Sequence, residues 1–352
     1  MSLSSERPFL LVLGSLVDPH VERVTDEIKR RGGVDVHVLD FLNDTRFSLS
    51  MDEAGEYELV VNGAAVPSHA LVWDRAKIIA GTAFYFAEMD ENAGYAAEEW
   101  RALYRVVCGL SGDRVVNSLY GRRCLIKPFQ QRLAAQAGFR VPRSLVGNSK
   151  SDMLVLCRSQ DQTIMKSLSA TKVRPATEGE FIPYNVLTMR VTEDDVAGAT
   201  EAEIGFCPHF LQEGIGKSYE LRVVYVDGAI FPFKVDSQRY KTSTIDWRKG
   251  LDFIDFFPTT VDDSVEQRIH GFMDRMGLFA GSLDLIVRGD GEVYFLECNQ
   301  EGAWGWLDDL DDGRVTMAFA EALSRRASSL ANGYPSEVGE VCVEDSEKKA
   351  VA

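Results

Sequence analysis

The chain has 352 residues, 45% of them apolar, with 54 Asp+Glu against 38 Lys+Arg and a formal net charge of −16. That length accommodates about two or three domains with cores of their own, and the ordinary apolar share excludes a disordered, collagen-like or low-complexity chain. An acidic surface is repelled by polyphosphate, which argues against non-specific nucleic-acid binding and against attachment to an anionic membrane, while leaving room for a local basic pocket.

The first apolar run, Phe9 to Val17, is broken by Gly14 and Ser15 and ends at Asp18, too short to cross a membrane. Only Arg7 precedes it as a positive residue and no small-residue cleavage site follows, so it reads as a buried strand rather than a secretory signal. The expected location is the cytoplasm. The six cysteines contain no Cys-x-x-Cys pair, as suits reduced structural thiols. Residues 8–17 and 34–41 read as strands flanking a helix with Val21, Val24 and Ile28 at helical spacing. A strand at 70–73 follows, then a helix marked by Ala96, Trp100, Leu103, Tyr104 and Val107, and this α/β unit closes near Ser118. No Gly-x-Gly-x-x-Gly follows the first strand, which argues against a dinucleotide site there.

From Tyr120 to about Gly205 the pattern predicts a helix over 129–137 ending at Gly138, a strand after Val141-Pro142, and another over 163–168. Residues 169–184 are rich in Lys, Arg, Thr, Glu and Pro, and a loop of that length points to a functional flap. The block 206–332 is rich in hairpins and closes with a helix from about Arg314 to Leu330, while 333–352 reads as a mobile acidic tail. The expected division is therefore 1–118, 119–205, 206–332 and the tail.

Chemistry concentrates in the third block. Asp290-Gly291 between two β-rich runs reads as a two-residue type I′ turn, which sets Asp284 opposite Glu297 and Ser282 opposite Asn299. Facing carboxylates repel, so the pattern asks for a cation between them. Two carboxylates plus an amide carbonyl are hard ligands, suited to magnesium shared with substrate phosphates. Solvated acids on an exposed hairpin are the alternative, against which Leu283, Leu285, Val287, Val293, Phe295 and Leu296 mark the strands as buried. A second hairpin turns at Asp227-Gly228, so that Glu220 and Arg222 share one side and Lys234 points to the other unless a bulge re-aims it. Upstream, His209 to Gly216 enters Gln212 and Glu213, then Ile215 between two glycines. Such a segment either connects domains or offers backbone groups to an adenine while Glu213 accepts from its amine or from the ribose.

In ordered combination these residues resemble the ATP-grasp carboxylate–amine ligases. The resemblance implies an α/β (α+β) ATP-grasp fold: an N-terminal α/β domain, a central lid and a C-terminal ATP and magnesium domain. It implies Asp284, Glu297 and Asn299 as the Mg2+ set, Lys127 and Lys166 on the phosphates of ATP, Glu213 as hinge acid and Glu220 as ribose acid. Gln212, Ile215 and Lys234 stand beside them as nucleotide candidates. The nearest likeness within the family is to microviridin-type graspetide synthetases, carried by Phe210 to Glu213, Glu220 to Val223, Phe233 to Gln238, Asp246-Trp247-Arg248 and Leu296 to Leu307. Val72 to Arg75 follows that pattern loosely, whereas Cys298, Gln300-Glu301 and a flap with a single glycine depart from it. The likeness implies an enzyme that activates Asp or Glu side chains of a ribosomal precursor peptide, leader plus core, and closes ω-ester or ω-amide links. Many ATP-grasp enzymes place an arginine two residues before the first metal aspartate; Ser282 stands there in this chain, so Arg222 and Arg248 become the catalytic candidates. Leader docking is expected near Val186 to Asp195, where Glu193, Asp194 and Asp195 suit a leader arginine and equally suit a helix N-terminus after Thr192. Trp304 and Trp306 read either as core or as a pocket mouth. Homodimers are common among such proteins. The rivals are a ligase joining a free amino acid or amine to a carboxylate, and a nucleotide-binding module without turnover.

Overall fold

A computed structural model describes residues 6–43, 45–76, 91–117, 121, 125–168, 172–173, 184–185, 187–250 and 253–334. Most of the flap expected at 169–184, the boundary at 118–120, Val186 and the tail from 335 lie outside the described residues.

The first unit forms as its pattern dictates. Strand β1 (Phe9–Gly14) is buried along its whole length, helix α1 (Pro19–Arg31) follows, and β2 (Asp35–Asp40) returns parallel to β1. Asp18 caps α1 by accepting from the His20 amide at 2.9 Å, and a proline in the first turn costs no hydrogen bond. Three strands escape the sequence reading: β3 (Phe47–Met51), β4 (Tyr57–Val61) and β5 (Ala64–Val66) make a separate antiparallel sheet. Strand β3 is mostly exposed, yet its Phe47, Leu49 and Met51 alternate with Ser48 and Ser50, a short strand signal. Strand β6 (Leu71–Asp74), helix α2 (Glu91–Ser111) and β7 (Val115–Val116) complete a sheet of order β2-β1-β6-β7.

Helix α3 (Lys127–Gln136) precedes Gly138, whose φ of 91° reverses the chain. Then come β8 (Ser144–Gly147), α4 (Lys150–Arg158), β9 (Thr163–Lys166), the two-residue pair β10 (Lys172–Val173) and β11 (Tyr184–Asn185), β12 (Met189–Val191), α5 (Glu193–Gly198), α6 (Glu201–Gly205) and β13 (His209–Glu213). The central sheet runs β12-β9-β13-β8.

The third block holds β14 (Tyr219–Val226), β15 (Ala229–Val235), β16 (Phe256–Pro258), α7 (Asp263–Met276), β17 (Ala280–Val287), β18 (Val293–Asn299), α8 (Gly305–Asp308) and α9 (Arg314–Ala331). Its antiparallel sheet has the order β16-β15-β14-β17-β18. Asp227 and Gly228 have φ of 46° and 96°, the positive pair a type I′ turn requires. The β17–β18 connection corrects the sequence reading: Arg288 N–H donates to Glu292 O and Gly291 N–H to Arg288 O, so three residues rather than two make the turn. A bulge beside Leu285 absorbs the extra residue, and Asp284 still faces Glu297.

One face of this sheet, with Leu221, Val223, Leu283, Leu285 and Phe295, packs on Leu133 of α3 and Ile269, Phe272 and Met276 of α7. The opposite face joins a core that contains Leu10, Val21 and Trp73 of the first unit together with Val224, Phe233, Trp304 and Phe319. Helix α9 lies against both α1 and β1, so the first and third blocks share one core. Among the described residues no helix is long and apolar enough to cross a membrane.

Candidate active site

Strand pairing puts Arg222 opposite Asp284, Asp284 opposite Glu297, and Ser282 opposite Asn299. Since successive strand residues alternate faces, these side chains and Glu220 share one side of the sheet, turned away from α3 and α7. Arg222 Nη1 donates to both Asp284 oxygens, at 2.9 and 3.0 Å, and Nη2 donates to the Ala303 carbonyl at 3.4 Å. Its Nε is buried without a partner among the described residues. The turn after β18 reaches this close only because residue 302 is glycine: a Cβ there would stand 2.5 Å from Ser282 and 2.8 Å from Arg222 Nη2. Burial pushes the Asp284 carboxyl up to about 6, against the pull of Arg222 and with added repulsion from Glu297 and Glu220. Burial works against Glu297 too, yet Lys127, Lys166, Arg248 and Arg222 together hold its carboxyl below the usual range.

Those four cations come from four separate elements. Lys127 opens α3, with Nζ 3.6 Å from Glu297 and donating to the Ser167 carbonyl at 3.2 Å. The helix is registered on the sheet by Gln130, whose amide donates to Cys298 O at 3.0 Å and accepts from Cys298 N at 2.8 Å. Lys166 ends β9; burial lowers its ammonium pKa, Glu297 resists the shift and Lys127 adds to it. Arg248 forks onto Asp246 at 2.8 and 2.6 Å, an ion pair that raises its pKa further, and its charge is felt at Glu297 and Asp284. Asp246 also accepts from Thr188 N at 3.1 Å, and Lys249 Nζ donates to Thr188 O at 3.1 Å. The Asp246-Trp247-Arg248 turn is thereby tied to the lead-in of β12.

Glu220 is buried and accepts from Lys217 Nζ at 2.6 Å, which also reaches the Ile245 carbonyl at 3.4 Å. Neither Lys217 nor Gln130 was legible as a site residue, because a lone Lys after glycines and a Gln inside a helix carry no periodic signal. At the hinge, Glu213 faces Arg143 at 3.4 Å; Gln212 is buried and donates to Ser144 Oγ at 3.3 Å while its Oε1 has no partner among the described residues; Ile215 is half-buried. Lys234 keeps the side its register assigns, with Nζ 4.6 Å over the Tyr219 ring, and does not join the cluster. Nor do the acids of α5. Thr192 and Asp195 form a capping box and Glu193 accepts from Arg158 at 2.8 Å, while Val196 of α5 packs with Leu211 beneath the opposite face of the central sheet. These contacts account for Glu193 and Asp195 as helix-terminus residues, with Asp194 beside them in the acidic first turn. Trp304 is core, and Trp306 is half-buried with its ring 6.0 Å from that of Phe256.

Among the described residues no three His, Cys, Asp or Glu side chains form a metal cage. Asp284, Glu297 and the exposed Asn299 amide are a partial, all-oxygen set. Such a set fits a hard divalent ion that completes its shell with phosphate oxygens.

No family model matches the chain, and no curated protein is similar to it in sequence. Solved structures are similar in shape. An ATP-grasp ligase of Chryseobacterium gregarium, associated with ribosomally made peptides and solved with ADP and a leader and core peptide, aligns over 93% of this chain and 98% of its own at TM-score 0.75 and 23% identity. The chain has the ATP-grasp fold. The macrocyclase MdnC of Microcystis aeruginosa MRC, bound with precursor peptide MdnA, aligns over 90% of this chain and 99% of its own at TM-score 0.70 and 22% identity. The ATP-grasp ligase PsnB, complexed with a minimal precursor, Mg and ADP, covers 89% and 97% at TM-score 0.66 and 20% identity.

Proposed function

We propose that the protein is a cytoplasmic, ATP-dependent peptide macrocyclase. It passes the γ-phosphoryl group of ATP to an Asp or Glu side chain of a precursor peptide, releasing ADP. A Ser or Thr hydroxyl or a Lys amine of the same peptide then attacks the acyl carbon, expelling phosphate and giving up its proton to solvent. The observation that carries this reading is the pair of facing carboxylates, Asp284 on the buried strand β17 and Glu297 on the half-buried edge strand β18, within the field of Lys127, Lys166, Arg222 and Arg248.

Both steps concentrate negative charge, and fixed cations stabilise it without reorganising. Lys127 and Lys166 grip phosphate oxygens as point charges, while the planar forks of Arg222 and Arg248 orient the substrate carboxylate and meet the developing oxyanion. Asp284, Glu297 and Asn299 would hold Mg2+, which neutralises the phosphate oxygens when bound. The hinge from Gln212 to Ile215 takes the adenine, with Glu213 on its amine and Glu220 on the ribose. In this reading residues 119–205 close over the nucleotide, 206–332 carry the chemistry, and 1–118 support it. The peptide-bound states of the similar ligases support a peptide rather than a free amine as substrate.

Intact-mass spectrometry of a synthetic candidate precursor peptide carrying Asp or Glu together with Ser, Thr or Lys, incubated with the protein and MgATP, tests the reading. Loss of one water per link is expected. A mass gain equal to a supplied amino acid would replace this reading with an intermolecular ligase.

A further inference from the structure

The turn from β18 into α8 touches Arg222 at Gly302 and at the Ala303 carbonyl, and is itself held from the far end of the chain. The next two backbone amides, Trp304 N and Gly305 N, both donate to His20 Nε2, at 3.0 and 3.1 Å. The other ring nitrogen, Nδ1, lies 2.6 Å from Asp18 Oδ1, and Asp18 Oδ2 accepts from Arg75 Nε at 3.2 Å. His20, Asp18, Arg75 and Trp304 are all buried, and the imidazole meets the Trp304 ring edge-on with centroids 4.7 Å apart. A nitrogen that accepts two N–H groups carries no proton, so the proton sits on Nδ1 and points at Asp18. Burial raises the Asp18 carboxyl, but His20 and Arg75 hold it down at about 2, so an anion is present to fix that tautomer.

We infer that His20 is a positioning residue for Arg222. Through Arg75, Asp18 and His20, the first α/β unit sets the backbone at 303–305 that anchors the guanidinium on the reacting face. The inference rests on the role given to Arg222 above. A shift of about 1 Å in a positioning contact costs about 10²-fold in rate, so the effect belongs to turnover rather than to ATP binding.

Two substitutions separate the halves of the contact. His20→Asn keeps an amide donor toward Asp18 and removes the acceptor; His20→Gln sets a carbonyl oxygen near the place of Nε2. With MgATP and a synthetic precursor peptide that the parent enzyme turns over, His20→Asn is expected to lower kcat by about 10²-fold with the KM for MgATP within about twofold of the parent. His20→Gln is expected to restore most of the lost rate. Wild-type kcat in His20→Asn, or equal impairment of the two variants, would overturn the inference. So would a fall in kcat matched by a rise in the KM for MgATP and a lower Tm, which would make His20 a packing residue. Arg222→Ala measured in parallel distinguishes the failures: unchanged turnover there would overturn the role of Arg222 itself, and the inference with it.

Discussion

Arg222 and Asp284 are register partners on β14 and β17, and one guanidinium nitrogen spans both oxygens of the carboxylate. A lysine at 222 would keep the charge but lose the fork and leave Ala303 O without its donor. Arg222→Lys is expected to lower the rate of peptide-dependent ADP release by on the order of 10²–10³, with the fold intact by circular dichroism. Arg222→Ala leaves a buried, unpaired carboxylate and should lower the urea-unfolding free energy by about 3–5 kcal/mol. Unchanged turnover in both variants would remove Arg222 from the reaction.

Glu297→Ala combined with Asn299→Ala strips the oxygen set to a single carboxylate. Mg2+-dependent ADP formation should disappear across a full magnesium titration, since one ligand cannot fix the ion against the phosphates. Full activity in the double variant would contradict the metal assignment.

Gly302→Ala sets a Cβ 2.5 Å from Ser282 and 2.8 Å from Arg222 Nη2. Turnover should fall sharply, because the turn and the guanidinium must part. Replacing Ser282 by Gly in the same chain removes the closest clash and should recover part of the rate. No recovery in the double variant would mean that the Ser282 contact does not set the height of the turn.

Asp18→Asn retains the cap of α1, since Asn serves that position as well as Asp, and removes the charge together with the Oδ2 acceptor of Arg75 Nε. The folded carboxyl lies at about 2, below its ordinary 3.8, so its contribution is present above about pH 4 and is lost as pH falls toward 2. By about 1.4 kcal/mol per unit, the wild type should exceed Asp18→Asn by on the order of 2 kcal/mol at pH 6, with the gap closing on acidification. Parallel urea titrations from pH 6 to 3 measure it, and a gap that widens on acidification would reverse the sign argued here.

Arg248 owes its orientation to Asp246, which also holds Thr188. Arg248→Ala should retain ATP binding and lose product. Guanidinium ion in solution should restore part of that rate only while Asp246 is intact to hold it. Equal rescue in Arg248→Ala and in the double variant with Asp246→Asn would show that Asp246 does not seat the cation.

Much of the site was legible because strand alternation is a strict rule. Once Asp284 with Glu297 and Glu220 with Arg222 were assigned to their hairpins, the shared side within each hairpin followed, while the β14–β17 pairing that joins the two and the placement of the nucleotide candidate Lys234 came from the structure. The facing of Asp284 and Glu297 emerged from two offsets that cancel: the turn is one residue longer than its Asp-Gly signal suggests, and the bulge takes up that residue. What stayed hidden depends on contacts between distant segments. His20 meets residue 304, Gln130 meets 298 and Thr188 meets 246, and no local pattern encodes such pairings. The small sheet of β3 to β5 was missed although β3 alternates Phe47, Leu49 and Met51 with Ser48 and Ser50, because five residues of alternation are a short signal.

Strand β18 is the last in its sheet and carries two of the three oxygen ligands proposed for the metal. A bare outer strand presents unpaired amides and carbonyls that recruit other chains. Here the Gln130 amide occupies both polar groups of Cys298, and the Arg140 carbonyl takes the Phe295 N–H at 2.9 Å. The Gln130 side chain thus stands in for a neighbouring strand at Cys298, and with the Arg140 carbonyl at Phe295 it blocks intermolecular β-pairing at two points of the edge beside the proposed nucleotide site.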